Sequence, residues 1–187
     1  MTSRTLRSDA ARNRQALLAA ARARFAHTGE ATGMDEVAAA AGVGVGTLYR
    51  HFATKADLVN ALYVERLAGF AEQAERNGTD TPWERLAAVV TAMIEAQSTD
   101  LALADAPTCE VAETQPQFAA VRTTFERGLE RLIAAAVASG DLRPGITSRD
   151  IVTLCFNRHL VRNPGGWQTY ASIVLAGLRV PASKETS

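Results

Sequence analysis

The chain has 187 residues, 47 % of them hydrophobic and 21 % charged, which fits one or two folded domains and is too apolar for a disordered chain. Lys and Arg together number 20, as do Asp and Glu, so the formal charge is zero and bulk charge announces no polyanionic partner. The distribution says more: residues 1–60 carry eight basic against five acidic residues, net +3, and residues 61–187 carry twelve against fifteen, net −3, a basic head on an acidic body.

In chain order the hydrophobic spacing is helical nearly everywhere, with no convincing period of two. The spacing predicts a first helix from Ala10 to His27, with Leu18, Ala21 and Phe25 on one face. Two short helices follow at Met34–Ala41 and Val45–His51, then a longer one at Ala56–Arg76 striped by Val59, Leu62, Tyr63, Leu67 and Phe70. Further helices fit Pro82–Gln97, Leu101–Ala112, Pro116–Ser139, Ser148–Leu160 and Trp167–Leu178. Their starts carry a Ser/Thr with an acid or amide three residues on, a pairing that satisfies the orphan N–H groups of a helix entry. The pairs are Thr32 with Asp35, Thr54 with Asp57, Thr81 with Glu84, Thr114 with Gln117 and Thr147 with Asp150. Gly140 and the Asn163-Pro164-Gly165-Gly166 run read as stop signals, and the first few residues and Pro181–Ser187 read as frayed. The expected fold is all-α.

Other classes fall away on local features. No stretch approaches the ~18–20 uninterrupted apolar residues of a membrane span. Met1 to Asp9 lacks the apolar core of a secretory signal. Cys109 and Cys155 sit in helical patterns rather than in a spaced disulfide framework, and His27, His51 and His159 are too scattered for a metal cluster. No nucleophile–base arrangement with catalytic spacing is evident. The expectation is a soluble, cytoplasmic protein without a metal or cofactor, and not an enzyme.

The chemistry concentrates in GMDEVAAAAGVGVGTLYRHFATK, residues 33–55. Two short helices joined by a glycine-bearing turn make a helix-turn-helix. Ala38 is small where the helices would cross, and Gly42 stands where the turn needs a left-handed residue. Val37, Val43 and Leu48 would lock the pair against the first helix. Gly42-Val43-Gly44-Val45-Gly46 is glycine-rich like a dinucleotide loop, but no strand precedes it.

GVGVGTLYRHFATKADLVNALY, preceded by RQALLAAARARFAHTG, resembles the N-terminal signature of TetR-type bacterial transcriptional regulators, and the match covers residues 10–65. The resemblance implies a three-helix DNA-binding domain at 1–55 and a larger helical domain at 56–187 that dimerises and senses a small molecule. It implies a DNA-facing set of Thr32, Val45, Gly46, Thr47, Tyr49, Arg50, His51 and Lys55, with Val45, Thr47 and Tyr49 on the helix that enters the major groove and Lys55 on a phosphate. There are departures from the family's pattern. Gly44 stands where a Ser often caps that helix, Val45 where a longer polar side chain is common, and Gly33 where a Thr is usual.

Several residues admit a second reading. Tyr49 and Phe52 could both be core aromatics, and Arg4, Arg7, Arg12 and Arg14 either a solvated face or a basic arm on the DNA backbone. Within the implied effector pocket Met93, Phe118, Phe125 and Cys155 are the candidates, although a Met and aromatic stripe can equally be core. The apolar load on the last helices points to Trp167, Tyr170, Ile173, Val174 and Gly177 as a four-helix dimer interface. The expected function is a ligand-responsive repressor that binds a palindromic operator in double-stranded DNA as a homodimer and is released by a mostly apolar effector. The alternative is an all-α small-molecule-binding protein or enzyme on the same scaffold without operator binding.

Overall fold

The computed structural model describes residues 2–28, 31–76, 78–99, 116–156 and 164–181. Among these residues lie eight α-helices: α1 (Thr2–Thr28), α2 (Met34–Ala40), α3 (Val45–His51), α4 (Lys55–Glu75), α5 (Pro82–Thr99), α6 (Pro116–Ala138), α7 (Ser148–Cys155) and α8 (Trp167–Leu178). A 3-10 turn, Pro164–Gly166, leads into α8. The helix expected at Leu101–Ala112, with Cys109, and the Thr114 cap lie outside the described residues. The all-α expectation holds.

Three of the expected capping pairs form. The hydroxyls of Thr54, Thr81 and Thr147 accept from the backbone N–H of Asp57, Glu84 and Asp150 at 3.1, 3.2 and 3.2 Å, and each carboxylate accepts back from the threonine N–H at 2.8–2.9 Å. These bonds favour the ionised carboxylate. Glu84 is held below its ordinary pKa by the Thr81 backbone and then its hydroxyl, and Asp150 by the Thr147 hydroxyl and then its backbone. The Thr32–Asp35 pair does not cap α2. Gly33 takes that position without a side-chain bond, and the Thr32 hydroxyl is hydrogen-bonded instead to that of Thr28, at the end of α1. Two boundaries also differ. The first helix begins at Thr2 rather than Ala10, since no Gly or Pro interrupts the intervening residues and a nucleated helix extends until something stops it. The helix expected to reach Leu160 leaves helical geometry at Phe156.

Two hydrophobic cores share one helix. The head core joins Leu17, Leu18, Ala21 and Phe25 of α1 to Val37 and Ala38 of α2, Leu48 of α3, Phe52, and Leu58, Val59 and Leu62 of α4. The body core takes Leu67, Ala71 and Ala74 from the same α4 and packs them with α5, α6, α7 and α8. Leu58 and Leu67 are nine residues apart, about two and a half turns, so they leave α4 on opposite sides. Packing therefore changes hands between Leu62 and Leu67. Arg22 and Glu65 add an exposed α1–α4 ion pair at 2.9 Å. In the body, Arg66 donates to the Ala96 carbonyl at 3.1 Å, and Arg179 stacks over Trp83 at 5.4 Å.

The α4–α6 crossing depends on Gly128. A Cβ there would lie 3.0 Å from the Ala74 Cβ, tighter than an ordinary contact, so α4 would have to give by a few tenths of an ångström. Gly128→Leu is expected to destabilise by about 1–3 kcal/mol through overpacking, read as a lower urea midpoint at unchanged slope.

Candidate nucleic-acid interface and effector cleft

The chain reverses between α2 and α3 at Gly42, whose φ of +68° is the left-handed conformation that glycine adopts without a Cβ clash. The Gly42 N–H donates to the Ala39 carbonyl and the Val43 N–H to that of Ala38, both at 3.1 Å, closing α2 with a Schellman motif. Val43 packs against the head core, and α3 leaves in a fixed direction.

Two ridges of α3 then divide the labour. Leu48 and Phe52, four residues apart, are buried in the head core. Val45 and Tyr49, also four apart, are 41 % and 48 % exposed on the other side, so Tyr49 is a surface aromatic and Phe52 a core one. Arg50 is exposed and oriented: its Nη2 donates to the Thr47 hydroxyl at 2.8 Å and its Nε to the Gly46 carbonyl at 3.3 Å. The half-buried His51 ring leans on Phe52 with centroids 6.3 Å apart. Lys55 opens α4 with its ammonium 5.7 Å from the Phe25 ring centroid, and the Arg14 guanidinium of α1 lies 5.4 Å from that of Phe52. Two cations are thus held over rings of the head core. Gly44 and Gly46 face open space, so neither is required by packing. Thr32 does not belong with this group. It is 1 % exposed and its hydroxyl is bound to Thr28, because the α2 cap falls one residue later than the sequence implies.

A cleft of about 610 Å³ opens between α4, α6 and α7. Tyr63, Leu67, Phe118, Phe125, Val152 and Phe156 supply its apolar wall, and Arg122, Glu126, Glu130, Ser148 and Arg149 its polar edge. Of the four effector candidates the structure brings Phe118 and Phe125 together there, and it keeps the other two away. Met93 belongs to the body core on α5, and Cys155 is buried with its Sγ 3.9 Å from the Val90 carbonyl. The ridge of α7 bearing Val152 and Phe156 lines the cleft, whereas the neighbouring ridge with Ile151 and Cys155 is buried in the core. Tyr63 and Leu67 carried a sequence signal, the α4 stripe, but nothing in that stripe separates a cleft wall from a core.

The α8 candidates also separate. Ala171, Val174 and Leu178 point into the body core, so Val174, 8 % exposed, is claimed by its own chain. The ridge one residue back, Ile173 and Gly177, is exposed, Ile173 to 65 %, and a Cβ on Gly177 would meet nothing. Trp167 and Tyr170 are half-buried, and the Tyr170 hydroxyl donates to the Leu154 carbonyl of α7 at 2.6 Å.

Residues 17–62 match the family model for bacterial regulatory proteins of the tetR family, and residues 81–180 that for the C-terminal domain of SbtR-like transcriptional regulators. The chain belongs to the TetR family. It is similar to the solved TetR transcription regulatory protein of Mycobacterium vanbaalenii, at 33 % identity over 94 % of this chain and 99 % of that one, with a TM-score of 0.65. A TetR transcriptional regulator from Streptomyces coelicolor shares 30 % identity over 90 % and 99 % of the two chains, with a TM-score of 0.62. The ketosteroid transcriptional regulator KstR2 of Mycobacterium tuberculosis matches at 25 % identity over 89 % and 95 %, with a TM-score of 0.53. Like these TetR-family proteins, the chain is a DNA-binding transcriptional regulator. Among its described residues no helix is long and apolar enough to cross a membrane.

Burial pushes the Cys155 thiol up to about 12, leaving almost no thiolate at neutral pH. Iodoacetamide at pH 8 is therefore expected to leave Cys155 unmodified in the native protein and to alkylate it in urea, read by peptide mass mapping.

Proposed function

We propose that this TetR-family regulator is a repressor that binds a palindromic operator as a homodimer and is released by a small, mostly apolar effector. One observation carries the reading: α4 holds the DNA-binding head by one face and walls the cleft with the opposite one. A molecule in the cleft that prefers one placement of α4 then biases the placement of α3. The differential affinity sets how far operator binding falls. The aromatic wall favours an apolar ligand body, and the polar edge one or two polar groups. That KstR2, a relative of this fold, is a ketosteroid transcriptional regulator accords with a compact apolar effector.

On the DNA side, Val45, Thr47, Tyr49 and Arg50 would face base edges, while His51 and Lys55 would meet phosphates. Val45 suits thymine methyls, and the Arg50–Thr47 pair offers the polar readout. The α3 helices of a dimer would enter successive major grooves about 34 Å apart. The exposed α8 ridge around Ile173 and Gly177, with the exposed Leu154, is the surface we assign to the dimer.

Selection of bound duplexes from a random pool tests the reading. An enriched palindrome supports it, and enrichment of sites without two-fold symmetry, or of none, would overturn the homodimer-on-palindrome reading. Lys55→Ala is expected to weaken operator and random DNA by similar factors and to lower the log–log salt slope by about 1.8, two phosphates per dimer at ~0.9 each. Thr47→Ala is expected to cost ~1–3 kcal/mol on the operator with little change on random DNA. Ile173→Arg is expected to yield folded monomers with lost operator affinity, and a variant still dimeric in sedimentation would sink the α8 assignment. Val174→Arg is no substitute, because it would place a charge in the core of the chain itself.

A further inference from the structure

We propose that Asn60 is the polar anchor of the effector, and that the effector is a neutral amphiphile with an apolar body and a hydroxyl or carbonyl group. The inference deepens the effector reading of the cleft and rests on it. Asn60 is 2 % exposed, and neither its amide nitrogen nor its carbonyl oxygen has a hydrogen-bond partner. Among the described residues the Arg85 Nε is the other buried side-chain atom in that state, but Arg85 still donates through Nη2 to the Ala74 carbonyl. Asn60 has nothing. A wholly unpaired buried amide is costly and calls for a specific explanation.

Its position supplies one. Seven residues before Leu67, about two turns, Asn60 lies within ~20° of it around the axis of α4 and three residues before Tyr63. Tyr63 and Leu67 line the cleft, and the same face continues as Ala71 and Ala74 in the body core. The amide thus closes the head-proximal end of an otherwise apolar stripe. Tyr63 and Phe118, rings 5.5 Å apart, stand at that end of the cleft. The amide is not itself part of the cleft's lining, so a ligand tip would reach it by parting this ring pair, and would meet there one acceptor and two donors.

The chemistry selects against a charged tip. An amide does not neutralise an ion, and burying an unmatched charge costs far more than burying a hydroxyl. At the edge of the cleft Arg122 is paired with Glu126 at 2.8 Å, and the remaining lining charges, Glu130 and Arg149, are of opposite sign. No net charge is left to choose an anion or a cation. Val59, the next residue back, is already in the head core, so a hydrogen bond gained at Asn60 acts where α4 passes from one core to the other.

The test compares the full chain with Asn60→Leu, using 1-decanol, decanoate and decyltrimethylammonium as probes, with dissociation constants from calorimetry and melting followed by circular dichroism. Decanol should bind the wild type more tightly than either ion. Asn60→Leu should weaken decanol about tenfold, the value of one net hydrogen bond, and leave the ions unchanged, with a melting temperature no lower than wild type. Should the leucine variant fail to fold, Asn60→Met, whose flexible thioether adapts to the same space, makes the same comparison. Equal decanol binding by wild type and folded variant, or tighter binding of either ion, would overturn the anchor and leave the cleft an effector site. No binding of any probe to the wild type would overturn the effector reading itself.

Discussion

Everything in this molecule hangs on α4 being amphipathic twice over. Its first three turns give Leu58, Val59 and Leu62 to the head, and its later turns give Leu67, Ala71 and Ala74 to the body from the opposite side. Both cores are buried hydrophobic clusters, and packed side chains of this kind resist continuous deformation when α4 shifts. In the proposed mechanism a displacement of the helix in one is passed to the other. The Thr54–Asp57 capping box fixes where α4 begins, immediately after α3, and Gly128 lets α6 lie close against its far end. The helix is gripped at both ends, with the cleft and Asn60 between.

The head is built to present one side of a very short helix. Seven residues of α3, with Gly46 inside and Gly44 as an N-cap without a side-chain bond, would not hold a helix alone. Leu48 and Phe52 hold it by burial, and the Schellman closure at Gly42 sets its direction. What remains outside is a small mixed surface of Val45, Thr47, Tyr49 and Arg50, flanked by Lys55 and Arg14 over the Phe25 and Phe52 rings. Packing that orients a side chain in advance reduces the entropy lost when it meets a partner. The Arg50–Thr47 bond does this for the guanidinium.

The sequence by itself determined the helical class, most helix boundaries and three caps, because these depend on local spacing and on groups three or four residues apart. It also marked the turn at Gly42, whereas the outward residues of α3 came from the family resemblance, with Tyr49 left open to a core reading until the structure exposed it. Features that depend on which neighbour a ridge meets were decided by the tertiary structure alone. Thr32 carries the chemistry of a cap, yet it is buried because the chain enters α2 one residue later. Val174 and Ile173 are adjacent and both apolar, but about 100° of helical rotation puts one in the core and the other in solvent. Met93, Cys155, Phe118 and Phe125 all belong to the body core, and only the placement of α4, α6 and α7 decides that the two phenylalanines also face the cleft. Asn60 is the clearest case: in the sequence it is one polar residue on a long helix, and only the packing around α4 leaves it buried and unpaired.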